Sequence, residues 1–275
     1  MPVELDAVPE TLLWNLYHRA AEARRPDTVL RDPRAVELVE RIDFPFERRF
    51  GPAAPVLAQW QALRAACFDG EVRRFLTHHP GGTVAALGAG LETRFWRVDQ
   101  GTVRWVCVDL PETIALRREL LPADPRVRLV PCSATDERWL DDVDTAAPVL
   151  VTAQGLLMYL TRAEVHRLLA TCAARIRAGG VVFDAVSPRM RDRSARAAPA
   201  DSEAYRPPRW TWAIDRHERR AIAALPGLTD LETLRLPRGR GPAFRFLVPL
   251  VQAVPPLRNG LLSILRARFG AQRRS

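Results

Sequence analysis

A chain of 275 residues, 47% of them hydrophobic, can bury the core of one large domain, and this composition excludes a disordered chain. The formal net charge is +9, but the 41 basic residues are all arginines spread along the chain, so we expect no specific nucleic-acid site. A membrane span is not expected either, because no run of about 18 apolar residues occurs. The acidic N-terminus does not resemble a secretory signal, so the cytoplasm is the expected location.

The cysteines are too widely spaced to indicate a metal site or a disulfide framework. No C-x-x-C pair occurs among Cys67, Cys107, Cys132 and Cys172. Cys107 and Cys132 fall in predicted strands, where a cysteine behaves as a small buried hydrophobic residue.

The N-terminal part of the chain is predicted to be helical. Apolar side chains recur at helical spacing over residues 9–25, and Asp32-Pro33 has the composition of a helix start. A loop at residues 45–55 and a further helix at residues 57–77 follow. Because these helices precede the first predicted strand, we expect residues 1–80 to cap the ligand-binding edge of a sheet.

Five apolar segments then alternate with helical ones. Near-continuous apolar strands separated by helices indicate a parallel sheet covered on both faces, and right-handed crossovers make it doubly wound. The predicted strands are residues 83–87, 103–108, 127–132, 148–153 and 180–186, and the predicted helices between them are residues 112–121, 136–143 and 162–178.

Beyond residue 187 the pattern is less regular. A polar, arginine-rich segment at residues 189–208 predicts a mobile loop or lid. The other expected elements are helices at residues 210–225 and 244–254, a loop at 237–242, and strands at 229–236 and 261–269. The last strand is expected to be antiparallel, giving a seven-stranded, mostly parallel α/β sheet. We predict a single domain in which residues 81–186 form the ligand-binding core and residues 187–275 an insertion on the substrate side.

A glycine turn follows the first predicted strand. Gly88-Ala89-Gly90 permits close approach of a ligand, but Thr93 occupies the position of the third glycine of a dinucleotide fingerprint. Asp109 follows Gly90 by nineteen residues, at the end of the second predicted strand, where a carboxylate can accept hydrogen bonds from ribose hydroxyls. The pattern favours a nucleoside ligand without a pyrophosphate. Two alternatives to a ligand site stay open. The glycine turn is then an ordinary strand-to-helix turn, or Asp109 caps the next helix.

Several segments resemble a known family in their order and spacing. They are RAAEARRPDTVLRDPRA at residues 19–35, ALRAACFDGEVRRFL at 62–76, LGAGLETRFWR at 87–97, VDLPETIALRRELL at 108–121, SATDERW at 133–139 and QGLLMYL at 154–160. They resemble the leucine carboxyl methyltransferase superfamily, and more closely its bacterial branch of tetracenomycin-type polyketide O-methyltransferases. The resemblance implies a Rossmann-like class I methyltransferase fold with S-adenosylmethionine as the cofactor.

The resemblance also implies which positions bind the cofactor. An arginine before the first strand would hold the methionine carboxylate, the glycine turn would lie beneath methionine and ribose, and the acid after the second strand would bind the ribose. Ser133 would lie at the adenine edge, although a serine that only caps the helix at residues 136–143 is an equal alternative. The implied cofactor-binding residues are Arg64, Gly88, Ala89, Gly90, Asp109, Leu110, Ser133, Ala134 and Gln154.

Gln154 departs from the family pattern, which usually has glutamate at this position. Glutamine keeps the shape and an acceptor but lacks the negative charge that would attract the sulfonium cation. Our hypothesis is that Gln154 still binds the cofactor. Tyr159 either lines the methyl-transfer pocket or serves only in packing. No catalytic base is identified, and we expect each of the five histidines to be a solvated surface residue.

The resemblance implies an S-adenosylmethionine-dependent O-methyltransferase that acts on a carboxylate or hydroxyl of a small molecule, and its bacterial branch implies a polyketide-like one. Two alternatives stay open: methylation of a protein C-terminal carboxylate, and a non-catalytic binding protein with the cofactor fold. A nicotinamide-dependent oxidoreductase is disfavoured by Thr93.

Overall fold

Seven strands form one sheet in the computed structural model, which describes residues 10–196, 205, 208–254 and 262–270. The strands are β1 (Thr83–Leu87), β2 (Arg104–Asp109), β3 (Val127–Pro131), β4 (Pro148–Ala153), β5 (Ala178–Ala185), β6 (Leu228–Leu234) and β7 (Ser263–Phe269). Their order across the sheet is β3-β2-β1-β4-β5-β7-β6, and of these strands only β7 runs antiparallel to its neighbours. The predicted doubly wound, mostly parallel sheet is confirmed.

Helices cover both faces of the sheet, and α1 lies beside the carboxyl ends of its strands. Within the described residues the α-helices are α1 (Glu10–Ala23), α2 (Pro33–Arg41), α3 (Phe46–Phe50), α4 (Pro55–His78), α5 (Arg94–Val98), α6 (Pro111–Leu120), α7 (Arg162–Arg175), α8 (Pro188–Arg196), α9 (Arg216–Ala223) and α10 (Val248–Ala253). None of the described helices has the length and apolar composition needed to cross a membrane.

The strand register brings three chain segments to one point of the sheet edge. Leu87, the last residue of β1, pairs with Val108 of β2 on one side and with Ala153 of β4 on the other. The chain leaves β1 toward β2 and later returns to β4 on the opposite side. In parallel sheets ligands bind at such a reversal of strand order, outside the carboxyl ends of the strands.

Several local predictions were wrong at their boundaries. The expected loop at residues 45–55 contains α3, where the rings of Phe46 and Tyr17 stack with centroids 5.6 Å apart. The helix expected at residues 136–143 is a 3₁₀ helix, Glu137–Asp142. All four cysteines are free and buried, as expected for Cys107 and Cys132.

The region after β5 also differs from the prediction. Helix α8 occupies the start of the predicted loop at residues 189–208, and the remainder lies outside the described residues except for Tyr205 and Pro208. The helix expected from residue 210 begins at Arg216 instead. The preceding segment is bound to the core, because the backbone N–H groups of Thr211 and Trp212 donate to the carbonyl of Met158. The helix expected at residues 244–254 consists of a π-helical turn followed by α10.

A buried chain of ion pairs joins the N-terminal helices to the segment after the glycine turn. Asp32 accepts from Arg19 Nε at 3.0 Å and from Arg97 Nη1 at 2.8 Å, and it is 1% exposed. The Thr93 hydroxyl donates to both oxygens of Asp32 at 2.7 Å. Burial favours the neutral form of Asp32, but the two arginines and Thr93 outweigh it and hold its pKa below the usual range.

The chain of ion pairs continues through Asp69 of α4. Its carboxylate, fully buried, accepts from Arg97 Nε at 2.7 Å and from Arg94 Nε at 3.2 Å. Arg94 Nη1 also pairs with Glu92 at 2.6 Å. Arg19, Arg94 and Arg97 thus face Asp32, Asp69 and Glu92, so this buried network carries no net charge.

We expect Asp69→Asn to lower the free energy of unfolding by about 3–5 kcal/mol, because it removes the shared partner of two buried guanidinium groups. Urea unfolding followed by circular dichroism measures this change. Glu40→Gln is the control, since the pair Arg24–Glu40 is exposed, and it should change stability by less than about 1 kcal/mol. Equal effects of the two variants would contradict a dominant role of the network.

We expect Gly179→Ala to destabilise the protein by more than about 3 kcal/mol, because Gly179 combines backbone strain with a clash. Its φ is +127°, and an added Cβ would lie 1.9 Å from the Val149 carbonyl oxygen. Gly101→Ala is the matched control, since Gly101 has φ +88° but no atom within 4 Å of the added Cβ. Gly101→Ala should cost only about 1–2 kcal/mol in the same unfolding assay.

Candidate functional site

A cavity of about 450 Å³ lies at the carboxyl edge of the sheet, beneath α1. Its walls come from the strand ends and from the N-terminal helices. Every residue that the sequence analysis singled out for cofactor binding, and Tyr159 as well, lines this cavity. These residues are Arg64, Gly88, Ala89, Gly90, Asp109, Leu110, Ser133, Ala134, Gln154 and Tyr159.

The glycine turn forms the floor of the cavity. Gly88 has φ +62° and Gly90 has φ +46°, a backbone region that residues with a side chain rarely adopt. A Cβ at Gly88 would lie 3.1 Å from the Leu156 side chain, and one at Gly90 would lie 3.5 Å from Leu12 of α1. Glycine at these two positions therefore lets the turn pass closely between α1 and the segment that follows β4.

Asp109 is fixed at the end of β2 by backbone donors. Gly90 N–H donates to Oδ2 at 2.7 Å, and Leu110 N–H donates to Oδ1 at 2.8 Å. Burial raises the pKa of this carboxyl in spite of those donors and of Arg117. The helix-cap alternative does not hold, because Leu110 occupies the N-cap position of α6. The Thr113 side chain also donates to this carboxylate, and because a carboxylate has about four acceptor sites, it keeps capacity for a ligand in the cavity.

Arg117 supports the glycine turn from inside the protein, and the sequence analysis did not identify it. This α6 residue is 2% exposed, and its Nη1 donates to the carbonyls of Gly90 at 2.6 Å and Glu92 at 3.1 Å. Carbonyls bound by a rigid guanidinium hold the turn in one conformation. The arginine follows Asp109 by eight residues, but nothing local in the sequence shows that its side chain folds back under the turn.

Arg64 lies at the far end of the cavity with an acidic partner that the sequence analysis also missed. Its Nη1 is 3.1 Å from Asp184 Oδ2, and Asp184 is fully buried. Gly155 N–H donates to Asp184 Oδ1 at 2.7 Å. Burial raises the pKa of Asp184 despite Arg64. An aspartate within the apolar strand β5 is the only sequence signal for this pair, since a buried carboxylate needs a partner.

Gln154 is held by the ion-pair network. Arg94 Nη2 donates to its Oε1, and because arginine has donors only, the carboxamide oxygen must face Arg94.

Ser133 caps a turn rather than the following helix: its Oγ accepts from Thr135 N–H at 3.2 Å, while Asp136 caps the 3₁₀ helix. Burial raises the pKa of Tyr159, whose hydroxyl is faced by Trp210 and Thr11.

The expectation that all five histidines are solvated surface residues was wrong for His18, and it holds only in part for His79 and His166, which are partly buried. His18 is 3% exposed, with burial lowering its pKa, and its Nδ1 lies 2.9 Å from the Trp14 carbonyl. His166 is half-buried and binds Glu218 at 2.7 Å. His78 and His79 lie at the opposite edge of the sheet, and His217 is exposed. Of the described residues that line the cavity, none is a histidine.

Solved structures of known proteins share the fold of this chain. Magnesium protoporphyrin IX methyltransferase from Synechocystis PCC 6803, crystallised with S-adenosylhomocysteine, shares the fold with a TM-score of 0.50 at 12% identity, over 86% of this chain and 94% of that one. The same enzyme with bound S-adenosylmethionine also gives a TM-score of 0.50, at 11% identity, over 88% of this chain and 100% of the other.

Proteins related to this chain by sequence share a higher identity with it than these structures do. The tetracenomycin polyketide synthesis O-methyltransferase TcmP of Streptomyces glaucescens is 40% identical over 187 residues, which are 68% of each chain. The S-adenosyl-L-methionine-dependent methyltransferase dpfgK of Gibberella zeae is 36% identical over 193 residues, or 65% of each chain. Residues 13–173 match the leucine carboxyl methyltransferase family. The chain therefore belongs to this family of methyltransferases, and S-adenosylmethionine is its cofactor.

Proposed function

We propose that the protein transfers a methyl group from S-adenosylmethionine to an oxygen atom, carboxylate or hydroxyl, of a small polyketide-like molecule. The observation that carries this proposal is the 40% identity to a tetracenomycin polyketide synthesis O-methyltransferase. The cavity supports it, because its lining includes Tyr159 and the apolar residues Leu12, Leu156, Leu160 and Pro208, which suit a flat organic acceptor.

The residues of the cavity fit the cofactor. Glycine at positions 88 and 90 leaves the floor open, and Asp109 keeps acceptor capacity for a ribose hydroxyl beside its bonds to Gly90, Leu110 and Thr113. Arg64 Nε is a buried donor without a hydrogen-bond partner among the described residues, which suits the methionine carboxylate. Ser133 and Ala134 would contact the adenine of the cofactor, and Gln154 would contact its methionine end.

The chemistry requires little of the protein beyond alignment and exclusion of water. When bound, S-adenosylmethionine supplies an electrophilic methyl group on a sulfonium. The role of the chain is then to orient the acceptor oxygen in line with this methyl group, which is an effect of proximity and desolvation. Tyr159, Leu156 and Leu160 would position the acceptor and keep water out. A carboxylate acceptor is already ionised near neutral pH and needs no base.

The acceptor class is tested by incubating the purified protein with S-adenosylmethionine and aromatic polyketide-like compounds that carry a carboxylate, a phenol or neither. We expect methyl esters or methyl ethers, detected by mass spectrometry. Because no histidine is among the described cavity residues, transfer to a phenol should increase with pH, whereas transfer to a carboxylate should vary little between about pH 6 and 8.

Other outcomes of this assay would be decisive as well. Methylation of a peptide C-terminus but of no small molecule would replace the proposal by protein carboxyl methylation. Products methylated at nitrogen or carbon would refute O-methylation. Cofactor binding without transfer to any acceptor would favour a non-catalytic protein.

We expect Asp109→Asn to weaken the binding of S-adenosylhomocysteine by about 10- to 100-fold, because hydrogen bonds from the ribose to a charged acceptor are lost. Isothermal titration calorimetry measures the affinity. Asp141→Asn is the matched control, since the Asp141 side chain is 74% exposed, and its affinity should equal that of the wild type. Unchanged affinity in Asp109→Asn would remove Asp109 from the cofactor site.

A further inference from the structure

Glu92 contributes a buried acceptor that no group in the described part of the chain satisfies. It lines the cavity two residues after the glycine turn, and its side chain is 14% exposed. Oε2 accepts from Arg94 Nη1 at 2.6 Å, whereas Oε1 is buried without a hydrogen-bond partner in the described part of the chain. A buried carboxylate oxygen left without a donor destabilises a structure, so such an atom at a ligand cavity indicates a donor on the ligand.

Arg94 places Glu92 beside Gln154. The two Nη atoms of its guanidinium donate to Glu92 Oε2 and Gln154 Oε1, so the carboxylate and the carboxamide lie side by side on one rigid planar group. Because the carboxamide oxygen faces Arg94, the amide N–H groups are what Gln154 has left to offer a ligand. Gln154 therefore suits an acceptor, and Glu92 suits a cationic donor.

Arg64 completes a set of groups that matches an α-amino acid. Its guanidinium lines the same cavity, and its Nε has no hydrogen-bond partner among the described residues. An α-amino acid has a carboxylate and an ammonium group on one carbon, and it is bound best where a cation and an anion stand apart on the cavity wall. Arg64, which also pairs with Asp184, offers its free Nε–H to the carboxylate, and Glu92, which also pairs with Arg94, offers its free Oε1 to the ammonium group.

We propose that Glu92 receives the α-ammonium group of the cofactor and gives the site its selectivity for the intact amino-acid end, while Gln154 donates to the carboxylate beside Arg64. This inference rests on the cofactor site of the proposed function but not on the identity of the methyl acceptor. It assigns to Glu92 the negative charge that Gln154 cannot supply.

The experiment compares two ligands and two proteins by calorimetry. The ligands are S-adenosylhomocysteine and 5′-S-(3-carboxypropyl)-5′-thioadenosine, which differs only by lacking the amino group. The wild type should prefer S-adenosylhomocysteine by about 10- to 100-fold, and Glu92→Gln should bind both ligands with nearly equal affinity. Glu119→Gln, an exposed α6 residue, is the control and should keep the preference of the wild type.

Two further variants keep the test decisive. Glu92→Gln/Gln154→Glu returns a carboxylate to the same guanidinium, so the preference for the amino group should be at least partly restored. Glu92→Asp keeps the charge and serves if Glu92→Gln does not fold; its shorter side chain should reduce the preference. A wild type that binds the two ligands equally would overturn the proposal, as would a Glu92→Gln variant with an undiminished preference. Failure of the wild type to bind either ligand would instead refute the cofactor site itself.

Discussion

The network of buried guanidinium and carboxylate groups is the constraint on which the site depends. Each buried charge loses several kcal/mol of hydration, and only an arrangement in which every charge has partners offsets this loss. Asp32 comes from the start of α2, Asp69 from α4, and Arg94 and Arg97 from α5, directly after the glycine turn. The cap and the floor of the cavity are therefore one electrostatic unit, and a shift of either would separate charges in a medium of low dielectric constant.

This unit explains why Thr93 stands where a dinucleotide-binding protein has glycine. A third glycine would allow the helix to approach a pyrophosphate closely. Here the Thr93 hydroxyl donates to Asp32 and accepts from Arg97 Nη1 at 2.6 Å, so the position belongs to the network rather than to the ligand. The residue that disfavoured a nicotinamide cofactor in the sequence is also the one that joins the turn to the cap.

The sequence predicted those features that depend on local composition. Apolar runs located the strands, and the glycine turn and Asp109 located the ligand edge, because strand order in a parallel sheet brings such segments together. Pairs formed by distant residues could not be predicted in this way. Arg64 and Asp184 are 120 positions apart, and their contact exists only once α4 packs across β5. The 3₁₀ form of residues 137–142 and the burial of His18 likewise depend on tertiary packing, which overrides local propensity.

All basic side chains that are counted in the net charge are arginines, and several of them form structural contacts in the interior of the protein. Arg94 contacts Asp69, Glu92 and Gln154 with three different nitrogens, and Arg117 binds carbonyls after β1 through Nη1 and the Cys107 sulfur through Nη2. A lysine ammonium has three donors on one atom and cannot span such separated acceptors. Part of the positive charge is therefore paired with buried acceptors, and this part does not contribute to a basic surface that could bind nucleic acid. One of the arginines that raise the net charge, Arg94, holds Glu92 and Gln154 at the cavity, so its positive charge serves the support of the site.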